Sequence, residues 1–345
     1  MWCNTYPVFA RINKLTQLKI ILFTVFLIAC CQALAAQTSD SGMVWPGPPQ
    51  RARIRHIRTI DSLMNRKEEK GFFGKVLSFL AGSEKAKEWL VQPVGVAVSP
   101  GGIIYITDPG ARGVHIIDQK SEKYSFVGET KYGTFQSPVG VACAVGGAVF
   151  VTDSELHRII VADEALEARG SITDHIQRPA GVAVIGGKLY VADAGLHKIV
   201  MFDLAGTYLG EFGLRGTGDG EFNYPVQLGG RDTLYVVDAL NYRIQKFDPS
   251  GKFQSAFGRQ GNVTGRFASP KAVALDSDGD LYVTDALMDN FQIFSPAGAL
   301  LLVVGRRGTG EGEFMNPNGI AIDSQNHIFI VDALNKRVQI FQYMP

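Results

Sequence analysis

The sequence predicts an all-β fold: a six-bladed β-propeller of four-stranded antiparallel blades, closed by an N-terminal strand, with a short helical insertion before blade one. Three observations predict it. One unit recurs six times between residues 91 and 345, each copy closing its second strand on an aspartate: Asp108, Asp153, Asp193, Asp238, Asp285 and Asp332. Each copy reads as four short extended runs, and repeats of roughly 40–45 residues with four strands build propeller blades. The last copy lacks its fourth run, while a strand-like stretch with no other partner lies upstream, at residues 51–60.

Each element has its own local reason. The first run of a unit reads Pro93-Val-Gly-Val-Ala-Val98, Pro138 to Cys143, Pro179 to Val184, Pro270 to Leu275 or Pro317 to Ile322, with Pro225 opening the shorter match. Its unbroken small and branched apolar residues suit a strand buried on both faces. A Gly- or Asp-rich hairpin turn follows, such as Gly146-Gly147 or Ser277-Asp-Gly-Asp280. The second run ends at the recurrent Asp. The third begins at Arg158, Lys198, Arg243 or Arg337, and the fourth follows turns such as Asp248-Pro-Ser-Gly251. Three residues before each Pro stands Leu90, Phe135, Ile176, Phe222, Phe267 or Phe314, the apolar residue that blade-to-blade packing needs. An unpaired edge on the last blade would template aggregation. The run Ile54 to Ile60 is therefore expected to supply its outer strand.

The pattern P-x-G-V-A-V, L-Y-V-x-D, R-I-x-x-F-D, G-x-x-x-x-F-G resembles the NHL repeat. The linkers Gly216 to Phe222 and Gly308 to Phe314 match it too, and the likeness covers roughly residues 90–342. The resemblance implies a rigid recognition propeller. Some NHL-like propellers are enzymes, including a metal-dependent lyase that gathers His residues around its channel.

The N-terminal segment reads as an address. Arg11, Lys14 and Lys19 precede the apolar run Ile20 to Ala29, the layout of a secretory signal. The sequence Leu27-Ile28-Ala29-Cys30 resembles a bacterial lipobox, which implies a signal over 1–29 and a lipid on Cys30 that holds the protein at a membrane surface. Ordinary cleavage near Ala35, giving a soluble secreted protein, is the alternative. A linker (30–50), the closing strand (51–60), the insertion (61–90) and the blades (91–345) follow. Within the insertion, Phe72, Phe73, Val76, Leu77, Phe79 and Leu80 fall at roughly helical spacing, as in a helix packed on the propeller.

Composition excludes several classes. Of the 345 residues, 46% are hydrophobic, too many for a disordered chain. Apolar runs are too few for a multi-span membrane protein. The net charge of +1 is a sum of unlike parts: residues 91–345 carry 21 Lys/Arg and 27 Asp/Glu, net −6, which argues against nucleic acid. The 39 glycines, about one in nine against a usual ~7%, fit many tight turns.

The search for chemistry gives little. His56, His115, His157, His175, His197 and His327 form no triad in the repeat register, so no metal and no cofactor is expected. His157 and His197 share a column with Arg112, Tyr242, Asp289 and Lys336, the signature of a solvated turn. Asp276-Ser-Asp278-Gly-Asp280 lacks the glycine and glutamate of a calcium loop and reads as a hairpin turn. The six recurrent aspartates read as turn carboxylates that accept backbone N–H groups, with the Arg or Lys five residues on as charge partner. Cys143 replaces a Val and reads as a small buried hydrophobe.

Function should sit where the copies differ. In the two columns after each Pro, Gln227, Lys271 and Asn318 are polar departures at the same end of three neighbouring blades, a candidate binding patch at the channel mouth. The sequence thus points to a cell-envelope binding or scaffold protein, recognising an envelope protein or small ligand. The alternative is a propeller enzyme, lyase or lactonase-like, with a site at the same mouth.

Overall fold

The computed structural model describes residues 43–47, 49–61, 90–121 and 123–345. The expected signal, Cys30 and nearly all of the helical insertion lie outside these residues. Six antiparallel sheets form the ring. Blades one to five each contain four strands in chain order, beginning with Gly95–Val98, Pro138–Cys143, Pro179–Ile185, Pro225–Gly230 and Pro270–Leu275. Blade six begins with Pro317–Ile322 and continues through His327–Asp332 and Arg337–Tyr343. Each innermost strand packs on the next, and that of blade six packs on that of blade one, so the ring is closed. The one helical element among the described residues is a 3-10 turn at Ala239–Asn241.

The closing strand is Ile54–Asp61, antiparallel to Arg337–Tyr343 from Ile54 opposite Tyr343 to Asp61 opposite Arg337. Its imperfect alternation has a physical cause. The register shifts between His56 and Arg58, leaving Ile57 as the extra residue of a bulge and 42% exposed. Ile54, His56 and Ile60 remain buried on the core side. A fifth strand, Val44–Trp45, adds outside it through Trp45 opposite Ile54. Two residues carry no alternation, so the sequence offered no sign of it. A small hairpin, Glu129–Thr130 with Gly133–Thr134, likewise decorates the linker after blade one.

Burial is deepest in the second strand of each blade, where runs such as Val149–Asp153 and Leu234–Asp238 are buried throughout. The innermost strands are only partly buried, because one side faces the channel. Between blades lie the apolar clusters. Leu90, Phe135, Phe222, Phe267 and Phe314 are fully buried there, while Ile176 is half-buried at the rim of its cluster. Each fully buried side chain of this column contributes roughly 1.5–3 kcal/mol by leaving water.

The glycine of P-x-G-V-A-V has a spatial reason. A Cβ at Gly95 would lie 2.4 Å from the Val139 carbonyl oxygen, and one at Gly140 2.4 Å from that of Ala180. Neighbouring innermost strands approach too closely around the channel for any side chain at these places.

Candidate functional site

The six aspartates mark one end of the ring, and all are fully buried. Each accepts backbone N–H groups from the linker that leads into its own blade. Asp108 accepts from Val91 (2.7 Å), Gln92 (2.9 Å) and Ala111 (2.8 Å). Asp285 accepts from Ala268 (2.7 Å), Ser269 (2.9 Å), Leu287 and Met288 (both 3.2 Å). Asp153 holds Gln136 and Ser137, Asp193 holds Gln177 and Arg178, Asp238 holds Asn223, and Asp332 holds Met315. The carboxylates thus tie the linkers to the blades.

The charge partners differ from copy to copy. Arg243 meets Asp238 at 2.8 Å, Arg337 meets Asp332 at 2.7 Å, and Arg158 meets Asp153 at 3.6 Å. Lys198 instead pairs with Glu211 at 2.5 Å, reaching across to the outer strand of its blade. In blade one the cation's position is Gly113, and His115, in the position of Gln245 and Gln339, lies 3.4 Å from Asp108. Burial pushes the Asp108 carboxyl up, but the His115 contact and three backbone N–H bonds outweigh it and hold it below the usual carboxylate range. In Asp332 burial wins over comparable bonds, and its pKa is raised.

The column Arg112, His157, His197, Tyr242, Asp289 and Lys336 adopts left-handed backbone throughout, with φ between 51° and 56°. A solvated turn is only part of the account. His157 Nδ1 donates to the Gln177 carbonyl, His197 Nδ1 accepts from the Tyr224 N–H at 3.0 Å, and Asp289 accepts from the Asn316 N–H at 2.9 Å. These side chains pin the linker of the next blade. The remaining histidines are scattered: His56 lies on Phe341, His175 stacks on Tyr208, and His327 bonds Asp323. Among the described residues no three His, Cys, Asp or Glu side chains gather closely enough to hold a metal.

Asp276 is a fully buried turn carboxylate that accepts from the Asp278 and Asp280 N–H groups and the Tyr282 hydroxyl. Asp278 in turn accepts from the Tyr343 hydroxyl at 2.6 Å, joining this hairpin to blade six. Cys143 is a free thiol whose burial pushes its pKa up to about 12.

Hydrogen bonds that the sequence did not disclose join five of the six neighbouring pairs of innermost strands around the channel. Thr107 Oγ1 accepts from the Gly95 N–H and donates to the Val139 carbonyl (2.7 Å). Thr152 joins Gly140 to the Ala180 carbonyl (2.6 Å), and Thr284 joins Ala272 to that of Asn318 (2.6 Å). Gln227 Oε1 accepts from the Val273 N–H at 3.0 Å, and the Gly319 N–H donates to the Val94 carbonyl at 2.8 Å. The threonines stand in the variable place of L-Y-V-x-D, where a hydroxyl three times in six was the available signal.

Gln227, Lys271 and Asn318 line one cavity of about 230 Å³ at the aspartate end of the channel. Arg178, Tyr224, Ser137 and Ser154 line it as well. Arg178 and Tyr224 come from the column just before Pro, which also holds Gln92, Ser137, Ser269 and Asn316; comparing that column would have found them. The Arg178 guanidinium lies 5.8 Å over the Tyr224 ring. The lining holds two cations and no acid. Burial lowers the Lys271 pKa, partly offset by the field of Asp285. Gln227 is half structural, since its carbonyl oxygen is taken by Val273.

Comparisons with known proteins agree on the fold. A family model described as a 6-bladed beta-propeller matches residues 272–343. No curated protein matches the chain. Among solved structures, a protein of unknown function from Bacteroides thetaiotaomicron is 18% identical, with 76% of this chain and 72% of that chain covered and a TM-score of 0.59. An auxiliary nutrient binding protein from the same organism is 17% identical, covering 74% and 70%, with a TM-score of 0.59. Virginiamycin B lyase from Staphylococcus aureus is 15% identical, covering 73% and 95%, with a TM-score of 0.53. At such identities the likeness is one of fold, and the chain is a six-bladed β-propeller.

Proposed function

We propose that the chain is an exported NHL-type binding propeller of the cell envelope, held at a membrane surface through Cys30, that recognises an envelope protein or small ligand at its channel mouth. The observation that carries this reading is the cavity that gathers Gln227, Lys271 and Asn318 with Arg178 and Tyr224. The acidic body, net −6 over residues 91–345, weighs against a nucleic-acid partner. The test is affinity purification from membranes, with metal analysis of the same sample. A partner retained by the native chain and lost on Lys271→Ala with Asn318→Ala supports the reading; unchanged retention refutes it. Palmitate labelling abolished by Cys30→Ala checks the anchor, and unlabelled native chain would point to soluble release near Ala35. An enzymatic reading would rest on Lys271 at the channel mouth, whose burial lowers its pKa and so favours the neutral amine more than at an exposed lysine.

A further inference from the structure

A second cavity, of about 280 Å³, adjoins the channel mouth between blades five and six. Lys271 lines both. Leu287, Met315 and Leu334 line the second, with Ala286 and Asn316. Leu287 is 74% exposed and Leu334 62% exposed, an uncovered apolar rim. At the far side Asp289 and Arg307 pair at 3.3 Å, so their charges cancel locally. Lys271 itself makes no ion pair or hydrogen bond among the described residues, and its ammonium is partly withdrawn from water. The two spaces meet at Lys271 and make one bent site, cationic in the channel and mixed in the radial groove, where Leu287, Met315 and Leu334 stand beside Ser269, Asn316 and the Asp289–Arg307 pair. Together they fall in the range of about 300–1,000 Å³ usual for ligand sites.

We propose that this bent site takes the C-terminal end of a polypeptide: the terminal carboxylate at Lys271 and Arg178, and the last apolar side chains on Leu287, Met315 and Leu334. Charge complementarity selects an anion, because no acid lines the channel cavity. The Asn318 carboxamide, beside Lys271 on the neighbouring blade, supplies the amide partner that a peptide backbone needs and a hydrocarbon chain does not. The Asn318 carboxamide has no hydrogen-bond partner among the described residues. A carboxylate binds only while Lys271 carries its proton. Because burial holds the Lys271 pKa below the ordinary 10.5, affinity falls off with rising pH earlier than an exposed lysine would dictate.

This inference rests on the channel-mouth reading, and its test separates the two. The purified full chain is titrated calorimetrically with the peptide Gly-Leu-Leu, with the same peptide amidated at its C-terminus, and with octanoate. The acid peptide should bind, and the amide should bind at least tenfold more weakly. Lys271→Ala should lose at least tenfold and Lys271→Arg should recover most of it. Leu334→Glu, at a surface position that leaves the fold intact, should also weaken binding. No binding of the acid peptide, equal binding of acid and amide, or Lys271→Ala titrating like the native chain overturns the proposal. Octanoate binding as tightly as the peptide overturns the polypeptide assignment as well. If the peptide fails while capture of a membrane partner still depends on Lys271, the carboxylate assignment falls and the channel-mouth reading stands.

Discussion

Replacing Asp285 by Ala tests what the recurrent carboxylate does. The side chain is fully buried and accepts four backbone N–H groups, two of them, from Ala268 and Ser269, on the incoming linker at 2.7 and 2.9 Å. Hydrogen bonds to a charged acceptor contribute about 1.5–3 kcal/mol each. Counting only those two, the substitution costs about 3–6 kcal/mol, against a total stability of about 5–15 kcal/mol. With an m-value of about 3 kcal/mol/M, the urea midpoint should fall by about 1–2 M. The control is Asp248→Ala, which also removes an acceptor of turn N–H groups, but one in solvent. Circular dichroism across a urea series reads both. If the two variants share one midpoint, the carboxylates do not tie the blades together and the argument is wrong.

Three further outcomes follow from the same geometry. Thr152→Val keeps the shape but removes the bridge from Gly140 to the Ala180 carbonyl; the urea midpoint should show a loss of about 1–3 kcal/mol, and an unchanged midpoint would remove the bridge from the account. Deleting residues 50–60 strips blade six of the strand paired to Arg337–Tyr343; the melting temperature should drop by several degrees or more, and an unaltered one would deny the strand its closing role. The folded Asp108 pKa lies below its ordinary 3.8, so its stabilisation is present above that value and lost as pH falls through the lower one. The gap in urea midpoint between native chain and Asp108→Asn should therefore be widest near pH 7 and close in acid; a gap constant with pH contradicts this.

The blades were legible because each copy must satisfy the same local demands, so their common residues stand out when aligned on one another. The closing strand was legible by elimination, although the bulge at Ile57 blurred its alternation. Contacts between copies were not legible. Nothing along one repeat says that Thr152 reaches the Ala180 carbonyl, or that Lys198 turns to Glu211 and leaves Asp193 to backbone donors. The candidate site shows the same division. Gln227, Lys271 and Asn318 emerged by subtraction, because they break a column. Arg178 and Tyr224 escaped, since the column before Pro has no rule to break and only closure of the ring brings them to the channel.

The pairing of Ile54 with Tyr343 sets an order of events for the nascent chain. The strand Ile54–Asp61 waits, without its partner, until residues 337–343 have been made. Five blades can form before residues 337–343 emerge, yet the sixth cannot be completed. The strand pairing that spans the greatest length of chain is thus the late one, and such late long-range pairing is slow. A chain released short of residues 337–343 would hold an open ring with two raw edges, which makes the C-terminal strand a checkpoint between a finished molecule and an aggregation-prone one.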